Sequence, residues 1–181
     1  MPYYTRGWQG VTGGTHGLGG KAALPSQSDC QPGTGGSTIP CGNGAVGIDN
    51  IWHDLDKNGK EIGGGAVPMW HAKNLEHAAS LGITTLPSYG QAWGLDPNNP
   101  AHVMQGKYVR YYDDKAQAPW LWNAEKKVFL STEDEESMGH KLDYIIKRGL
   151  GGVMFWEMAG DYAFDPAKNE YGMGSTLTTL A

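Results

Sequence analysis

The sequence predicts an α/β fold, because an amphipathic helix leads directly into a short apolar strand. Within residues 132–149 the apolar side chains recur at helical spacing and form one stripe: Met138, Leu142, Ile145 and Ile146. The run 151–158, with the sequence GGVMFWEM, follows almost at once and is nearly all apolar, which is typical of a buried parallel strand. A helix that precedes such a strand is the repeating step of a parallel-sheet protein.

Both ends of this helix carry sequence signals. Thr132 and Glu135 have the spacing of a capping box, in which each side chain bonds the backbone N–H of the other residue. Lys147 and Arg148 complement the negative end of the helix dipole, and Gly149 is a natural stop. The helix is therefore expected to begin after Thr132 and to end before Gly149.

Two antiparallel hairpins are also predicted. The first turns at Asn58-Gly59, a pair that favours the type I′ turn of two-residue hairpins. The second joins two short runs rich in aromatic and β-branched residues. The paired strands are expected at residues 51–53 with 61–62, and at residues 120–123 with 127–130.

A second helix and a further strand lie between these hairpins. Pro68 suits the first position of a helix, Leu75 and Ala78 follow at helical spacing, and Gly82 marks the end. Residues 107–112, with the sequence KYVRYY, alternate as a strand does. The chain thus combines antiparallel hairpins with one helix–strand step of a parallel sheet.

Length and charge limit the possible functions. The chain has 181 residues, whereas a complete β/α barrel typically needs roughly 250. Its 14 basic and 19 acidic residues give a net charge of −5 without a basic stripe, so no nucleic-acid partner is expected. No apolar stretch approaches the ~20 residues of a membrane span, and residues 1–4 do not resemble a signal peptide.

Cys30 and Cys41 flank a segment rich in glycine and proline. A disulfide that closes this loop would add about 2–3 kcal/mol of stability, and two free thiols are the alternative. A Cys30–Cys41 bridge implies an oxidising compartment, so the protein is expected to be secreted. No histidine lies near these thiols in the sequence, which argues against a zinc site.

No metal ion or cofactor is predicted elsewhere. Residues 54–59 begin like a calcium-binding loop, but Gly65 stands at the twelfth position, where an EF-hand requires glutamate. The glycine-rich run 13–20 lacks the strand, helix and Lys-Ser/Thr pair of a phosphate loop.

Trp156 is the strongest candidate for a binding residue. It ends the predicted strand of residues 151–158, and a β/α barrel builds its site at the carboxyl ends of its strands. An aromatic ring there can stack on the apolar face of a sugar, whereas core packing is the simpler alternative. The chain has 7 Trp and 9 Tyr but only 3 Phe, and aromatic side chains with a polar group are typical of partly solvent-exposed surfaces.

Three segments resemble the family 18 glycoside hydrolases, the chitinases. MPYYTRGW at residues 1–8 is similar to their seventh barrel strand, and LGGVMFWEMAGDY at residues 150–162 to their eighth. YYDDKAQAPW at residues 111–120 resembles the closing part of their α+β insertion domain. The resemblance implies the carboxyl-terminal part of a (β/α)8 TIM barrel, namely its last two strands, with an inserted α+β chitinase insertion domain.

The resemblance also implies a domain division. Residues 1–10 would be barrel strand seven, and residues 11–120 mainly the insertion domain. Residues 121–181 would hold the end of the insertion, helix seven, strand eight and the start of the last helix.

By the same resemblance, several residues would bind the substrate. Trp156 would be the floor of the −1 sugar subsite, and Tyr4 and Arg6 would contact the substrate near the scissile sugar. Trp8 would reach an adjacent subsite, with core packing as its alternative role. Glu157 would lie beside the substrate without acting as the acid.

The resemblance implies retaining, substrate-assisted hydrolysis of β-1,4-linked N-acetylglucosamine polymers. The family's acid is the Glu of an Asp-x-x-Asp-x-Asp-x-Glu motif, and no such spacing occurs here; Asp49, Asp54 and Asp56 come closest. We therefore expect no catalytic residue in this chain. The expected partners are chitin or chitooligosaccharides and an upstream remainder of the barrel. The alternative function is a non-catalytic, lectin-like module that binds chitin.

Overall fold

The computed structural model of the chain describes residues 1–22, 53–55, 61–63, 66–82, 96, 98 and 106–181, with only the backbone at 53–55 and 61–63. This part of the chain is an α/β fold. Its strands are β1 Arg6–Trp8, β2 His53–Leu55, β3 Glu61–Gly63, β4 Tyr108–Asp113, β5 Ala118–Asn123, β6 Val128–Ser131, β7 Tyr162–Asp165 and β8 Glu170–Met173. Its α-helices are α1 Met69–Leu81 and α2 Glu135–Arg148.

A four-stranded antiparallel sheet with the order β1-β6-β5-β4 is the largest sheet of the described residues. Its turns begin with a residue whose side-chain oxygen binds the following backbone, which is why the chain reverses there. Asp113 accepts from the N–H groups of Lys115 and Ala116 at 2.9 and 2.7 Å. Asn123 accepts likewise from those of Glu125 and Lys126, at 3.2 and 3.1 Å.

Both predicted hairpins are confirmed. Residues 120–123 and 127–130 fall within the paired strands β5 and β6, or within one residue of them. In the first hairpin β2 pairs with β3, two residues later than predicted at its start. Its turn at Asn58-Gly59 lies outside the described residues. The predicted strand 107–112 is β4, shifted by one residue.

Helix α1 forms where it was predicted and lies at the centre of the core. Pro68 is the residue before the first turn rather than its first member, and it provides no side-chain cap. Gly82 ends the helix in the left-handed conformation with a φ of 68°, which glycine adopts without steric cost. Seven helix residues are buried: Met69, Trp70, His71, Ala72, Asn74, Leu75 and Ala79.

The predicted cap of α2 was wrong by two residues. Asp134 is the N-cap, because its carboxylate accepts from the Ser137 N–H at 3.0 Å and the Ser137 hydroxyl accepts from the Asp134 N–H at 3.1 Å. Thr132 instead donates its hydroxyl to the Met69 sulfur at 3.2 Å. Glu135 accepts from the Tyr162 hydroxyl at 2.8 Å. The predicted end at Gly149 is confirmed.

The apolar stripe of α2 is mostly not covered by the described residues. Met138 is fully buried, but Leu142 and Ile145 are half-buried and Ile146 is 78% exposed. The helical spacing therefore predicted the helix, but not the burial of its apolar face.

The buried strand predicted at residues 151–158 was wrong. Trp156 forms one parallel bridge, to Pro2; its N–H donates to the Met1 carbonyl and its carbonyl accepts from the Tyr3 N–H, both at 2.9 Å. Met154 and Trp156 are 68% and 65% exposed. The described chain supplies a neighbour on one side only, whereas a buried parallel strand has partners on both sides and helices on both faces.

Strands β7 and β8 form a hairpin that the sequence pattern did not predict. The hairpin packs on α1, and Asn74 of α1 bonds both backbone groups of Tyr171 in β8. Its turn begins at Asp165, whose carboxylate accepts from the Ala167 N–H at 2.9 Å, and Asn169 takes a φ of 54°.

Strands β1 and β4–β6 belong to one sheet, so the predicted division between residues 120 and 121 falls inside β5. The assignment of residues 1–10, 11–120 and 121–181 to barrel and insertion domain stays a prediction.

Candidate functional site

The segment 2–6 sends alternate side chains to opposite sides, as an extended chain does. Tyr3 and Thr5 are fully buried, whereas Tyr4 is half-buried and Arg6 is exposed. Tyr3 stacks on Phe155, with 4.9 Å between the ring centroids. Thr5 is held to Val67 by two hydrogen bonds of 2.8 and 2.9 Å. These contacts fix the segment between residues 154–156 on one side and residues 66–69 on the other.

A cleft of about 380 Å³ lies on the side to which Tyr4 and Arg6 point. Trp156 and Glu157 line the same cleft, although they lie about 150 residues further along the chain. Its other described lining residues are Tyr3, Ala66, Pro68, Trp70, Ala159, Gly160 and Met173. The structure thus brings four of the five predicted binding residues together.

Trp156 presents a free aromatic surface to this cleft, because its backbone is anchored while its side chain is 65% exposed. The peptide bond between Trp156 and Glu157 is cis. The chain then turns sharply at Gly160, where an added Cβ would lie 2.1 Å from the Tyr3 carbonyl oxygen. Only glycine permits this close approach, which packs the turn after Trp156 against the segment that carries Tyr4 and Arg6.

The opposite wall of the cleft comes from the start of α1. The Trp70 indole N–H donates to the Ala159 carbonyl at 3.0 Å, and Pro68 forms an antiparallel bridge with Tyr4. Because Trp70 is buried, it shapes the cleft but leaves Trp156 as the large exposed ring. Neither Trp70 nor Pro68 was predicted to lie in the site.

Charge in the cleft comes from Arg6 and Glu157. The Arg6 guanidinium carbon lies 5.1 Å from the centre of the Tyr4 ring, within cation–π distance. Glu157 is the single carboxylic acid among the described lining residues. Burial raises the pKa of the Tyr3 phenol, so this group stays neutral beneath the cleft at physiological pH.

Trp8 does not line this cleft. It contacts Phe129, with 6.2 Å between the ring centroids, and borders a separate cavity of about 280 Å³ with Val11 and Gly17. This placement provides the packing contact of the alternative role. The assignment of Trp8 to an adjacent sugar subsite stays a prediction.

Cys30 and Cys41 lie outside the described residues, and the calcium-like run 54–59 is described only in part, at its backbone. The described residues contain no group of three or more histidine, cysteine or acidic side chains suited to a metal ion. Within the same part of the chain, no helix has the length and apolar character needed to cross a membrane.

The arrangement can bind a ligand that has both an apolar face and polar edges. The exposed Trp156 ring offers a stacking surface, and Arg6, Tyr4 and Glu157 offer hydrogen-bond donors and acceptors at its margin. A pyranose ring has this combination of surfaces. The described residues thus form an α/β fold whose cleft combines one exposed aromatic ring with charged and polar groups.

The family model for glycosyl hydrolases family 18 matches residues 1–161, and the chain belongs to this family. The predicted resemblance to the family is thereby confirmed. The matched range includes Tyr4, Arg6, Trp156 and Glu157, and it ends immediately before strand β7.

Known chitinases resemble the chain over unequal lengths. The crystal structure of a family GH18 chitinase from Chromobacterium violaceum is 53% identical with a TM-score of 0.83, and the match covers 99% of this chain and 25% of that one. Chitinase A1 of Niallia circulans is 48% identical over 60 residues, which are 33% of this chain and 9% of that protein. Chitinase B of Serratia marcescens is 39% identical over 61 residues, or 33% of this chain and 12% of that protein. The chain thus spans a quarter or less of the length of these relatives.

Proposed function

We propose that this chain is part of a secreted chitinase that hydrolyses β-1,4-linked N-acetylglucosamine polymers. The observation that carries the proposal is the cleft in which Trp156, Tyr4, Arg6 and Glu157 meet, in a chain of family 18. Its volume of about 380 Å³ falls within the range of ~300–1,000 Å³ typical of ligand sites. The 53% identity to a chitinase of known structure supports the same substrate class.

In this proposal the chain binds and orients the sugar. The Trp156 ring stacks on the apolar face of the sugar at the −1 subsite, while Arg6 and Tyr4 donate hydrogen bonds to its polar edge. Because Arg6 also contacts the Tyr4 ring, its side chain is held near the orientation that this requires.

The chemical step needs a proton donor that this chain does not supply. The N-acetyl oxygen attacks the anomeric carbon as the glycosidic bond breaks, and an acid protonates the departing oxygen. General acid catalysis typically contributes about 10²–10⁴-fold to the rate. The sequence holds no Asp-x-x-Asp-x-Asp-x-Glu spacing, so we propose that an upstream part of the barrel supplies the acid and that the chain alone does not hydrolyse chitin.

Exposed apolar side chains support an upstream barrel partner. Ile146 at the end of α2, Leu150 after it and Met154 beside Trp156 are all exposed, although a parallel strand and its helix normally lie buried in a barrel. We propose that the remaining barrel strands and helices cover these side chains.

The binding role is tested by titrating chitotetraose into the purified chain and measuring heat or tryptophan fluorescence. We expect saturable binding that Trp156→Ala weakens by about tenfold or more, because a stacked aromatic surface is lost. Tyr144→Ala is the matched control, since Tyr144 is 56% exposed and does not line the cleft. Unchanged binding by Trp156→Ala would contradict the proposed subsite.

The alternative is a non-catalytic module that binds chitin, and the missing acid motif is the observation that favours it. The intact mass of the native protein, with sequencing of any upstream peptide, separates the two functions. An upstream segment that carries the acid motif supports the chitinase. Turnover of a fluorogenic chitobioside by the purified chain would contradict the assignment of the acid to another part of the protein.

We also propose a disulfide between Cys30 and Cys41, consistent with secretion. Thiol titration of protein isolated from its natural source, and unfolded without a reducing agent, is expected to find no free thiol. Two reactive thiols would contradict both the bridge and the argument for an oxidising compartment.

A further inference from the structure

The hairpin of β7 and β8 adds a wall to the cleft that the family match does not include. The matched residues end at 161, and β7 begins at Tyr162. The last residue of β8, Met173, nevertheless lines the cleft together with Trp156 and Glu157. Its side chain is 70% exposed, so it presents an apolar surface to whatever occupies the cleft.

We infer that Met173 is a specificity-determining contact that packs against apolar atoms of an N-acetylated sugar bound in this cleft. The inference deepens the proposed function and rests on it. The side chain of methionine is unbranched and polarizable, so it adapts to an irregular partner such as a sugar ring face or an acetyl methyl group. A ligand that removes this exposed apolar side chain from water lowers the free energy of the complex.

The first set of contacts that holds the backbone near Met173 joins β8 to α1. Asn74 is 8% exposed, and its amide donates to the Tyr171 carbonyl while its oxygen accepts from the Tyr171 N–H, both at 2.7 Å. The His77 ring lies edge-to-face with Phe164 and Tyr171, with centroid distances of 5.3 and 5.9 Å. These contacts tie β8 to α1, the helix whose start forms another wall of the cleft.

A second set of contacts holds the chain immediately after Met173. The Gly174 N–H donates to the Asp161 carbonyl at 3.1 Å, and a Cβ at Gly174 would lie 2.4 Å from atoms of Ala163. The buried Asp161 carboxylate accepts from the N–H groups of Leu177 and Thr178, at 3.0 and 2.8 Å. The backbone at Met173 is therefore held on both sides, which keeps its side chain at the edge of the cleft.

The contact also predicts a preference for acetylated sugars. Glucosamine carries an ammonium group where N-acetylglucosamine carries a neutral acetamide with a methyl group. Placing that charge against the thioether would remove water from it without supplying a polar partner, which is unfavourable. Met173 is thus expected to favour chitin oligosaccharides over their deacetylated forms.

The test compares variants of the full chain in chitotetraose titrations. Met173→Ala is expected to weaken binding about five- to tenfold through the lost apolar contact, and Met173→Leu is expected to restore most of it. Met158→Ala is the matched control, because Met158 is 59% exposed and does not line the cleft. Equal affinity of Met173→Ala and the unsubstituted chain would overturn the inference while leaving the proposed function intact; no binding by the unsubstituted chain would overturn the proposed function itself.

A second measurement needs no substitution. With ¹³C-methyl-labelled methionine, the Met173 methyl resonance is expected to shift during a chitotetraose titration, and that of Met158 to stay in place. Glucosamine tetramer is expected to shift the Met173 resonance less at equal concentration. A saturating chitotetraose titration that leaves the Met173 methyl unmoved would overturn the inference even if the alanine variant failed to fold.

Discussion

The two α-helices of this chain differ in a way that separates helix formation from helix burial. Helix α2 has the stronger sequence signals: a cap, acidic residues in its first turn, basic residues in its last, and a glycine stop. Yet Ser137 and Met138 are its only buried residues within the described structure. Helix α1 has neither a side-chain cap nor charged residues at its ends, but seven of its residues are buried.

The comparison shows that the two helices are stabilised by different interactions. Local hydrogen bonds and charges favour α2 before any other element packs on it. Helix α1 depends on core packing, which usually contributes most of a helix's stability in a protein. The helices should therefore respond differently to substitutions at matched positions.

The largest effect is expected at the centre of α1. Leu75 is 2% exposed, so Leu75→Ala should lower the free energy of unfolding by about 2–5 kcal/mol through lost burial and a cavity. Leu81→Ala is the control on the same helix, because Leu81 is 51% exposed. Denaturant unfolding of both variants measures the difference. A loss below about 1 kcal/mol for Leu75→Ala would contradict the dependence of α1 on packing.

A smaller loss is expected when α1 is disconnected from β8. Asn74→Ala removes both hydrogen bonds to Tyr171 and leaves part-buried backbone groups without them, which should cost about 1–3 kcal/mol. Ser80→Ala is the control, since Ser80 is exposed and its hydroxyl bonds only its own helix, at His77. Hydrogen exchange should also show faster exchange at the Tyr171 amide. If the Tyr171 amide of the variant were as protected from exchange as that of the unsubstituted chain, the Asn74–Tyr171 hydrogen bonds would not hold β8 to α1.

The cap of α2 is expected to contribute less. Asp134→Ala removes the bond to the Ser137 N–H and the ion pair with Arg110, whose Nε lies 2.7 Å from the carboxylate. Loss of an N-cap typically costs about 0.5–2 kcal/mol. Asp143→Ala, an exposed position on the same helix, is the control and should change stability by less than about 0.5 kcal/mol. Equal effects of the two substitutions would show that the cap does not stabilise α2.

The smallest effect is expected on the exposed face of α2. Ile146→Gln should change the stability of this chain by less than about 0.5 kcal/mol, because Ile146 is largely exposed. The same substitution should cost more in a longer protein whose upstream barrel covers Ile146. Thermal unfolding with and without the upstream segment makes the comparison. A large loss in this chain by itself would mean that Ile146 already has a partner.

The residues of the cleft were identified from short sequence segments, whereas their arrangement in one site depends on the tertiary structure. Tyr4 and Arg6 were found from a short motif, and Trp156 and Glu157 from the end of an apolar run; the structure then brings all four to one cleft. Their roles in binding substrate stay predictions. Trp8 belongs to the same short motif and to the same strand as Arg6, but its ring contacts Phe129 and borders the separate cavity.

The residues that were missed have no local signal. Trp70 reaches the cleft through a hydrogen bond to Ala159, 89 residues away in sequence. Met173 reaches it through a hairpin held by Asn74, which is 97 residues from Tyr171. Contacts of this separation depend on how elements pack, and a single sequence does not encode them in any spacing.

The sequence by itself identified both helices and both predicted hairpins, because caps, turn residues and side-chain periodicity act over a few neighbouring positions. The resemblance of three short segments to known members identified the family and, with the end of the apolar run, the four cleft residues. Tertiary structure decided which faces were covered. It buried α1, left Ile146, Met154 and Trp156 exposed, and placed Met173 in the same cleft as Trp156. The physical reason is that burial and cleft geometry depend on partners distant in sequence, whereas a helix or a turn is specified by the residues that form it.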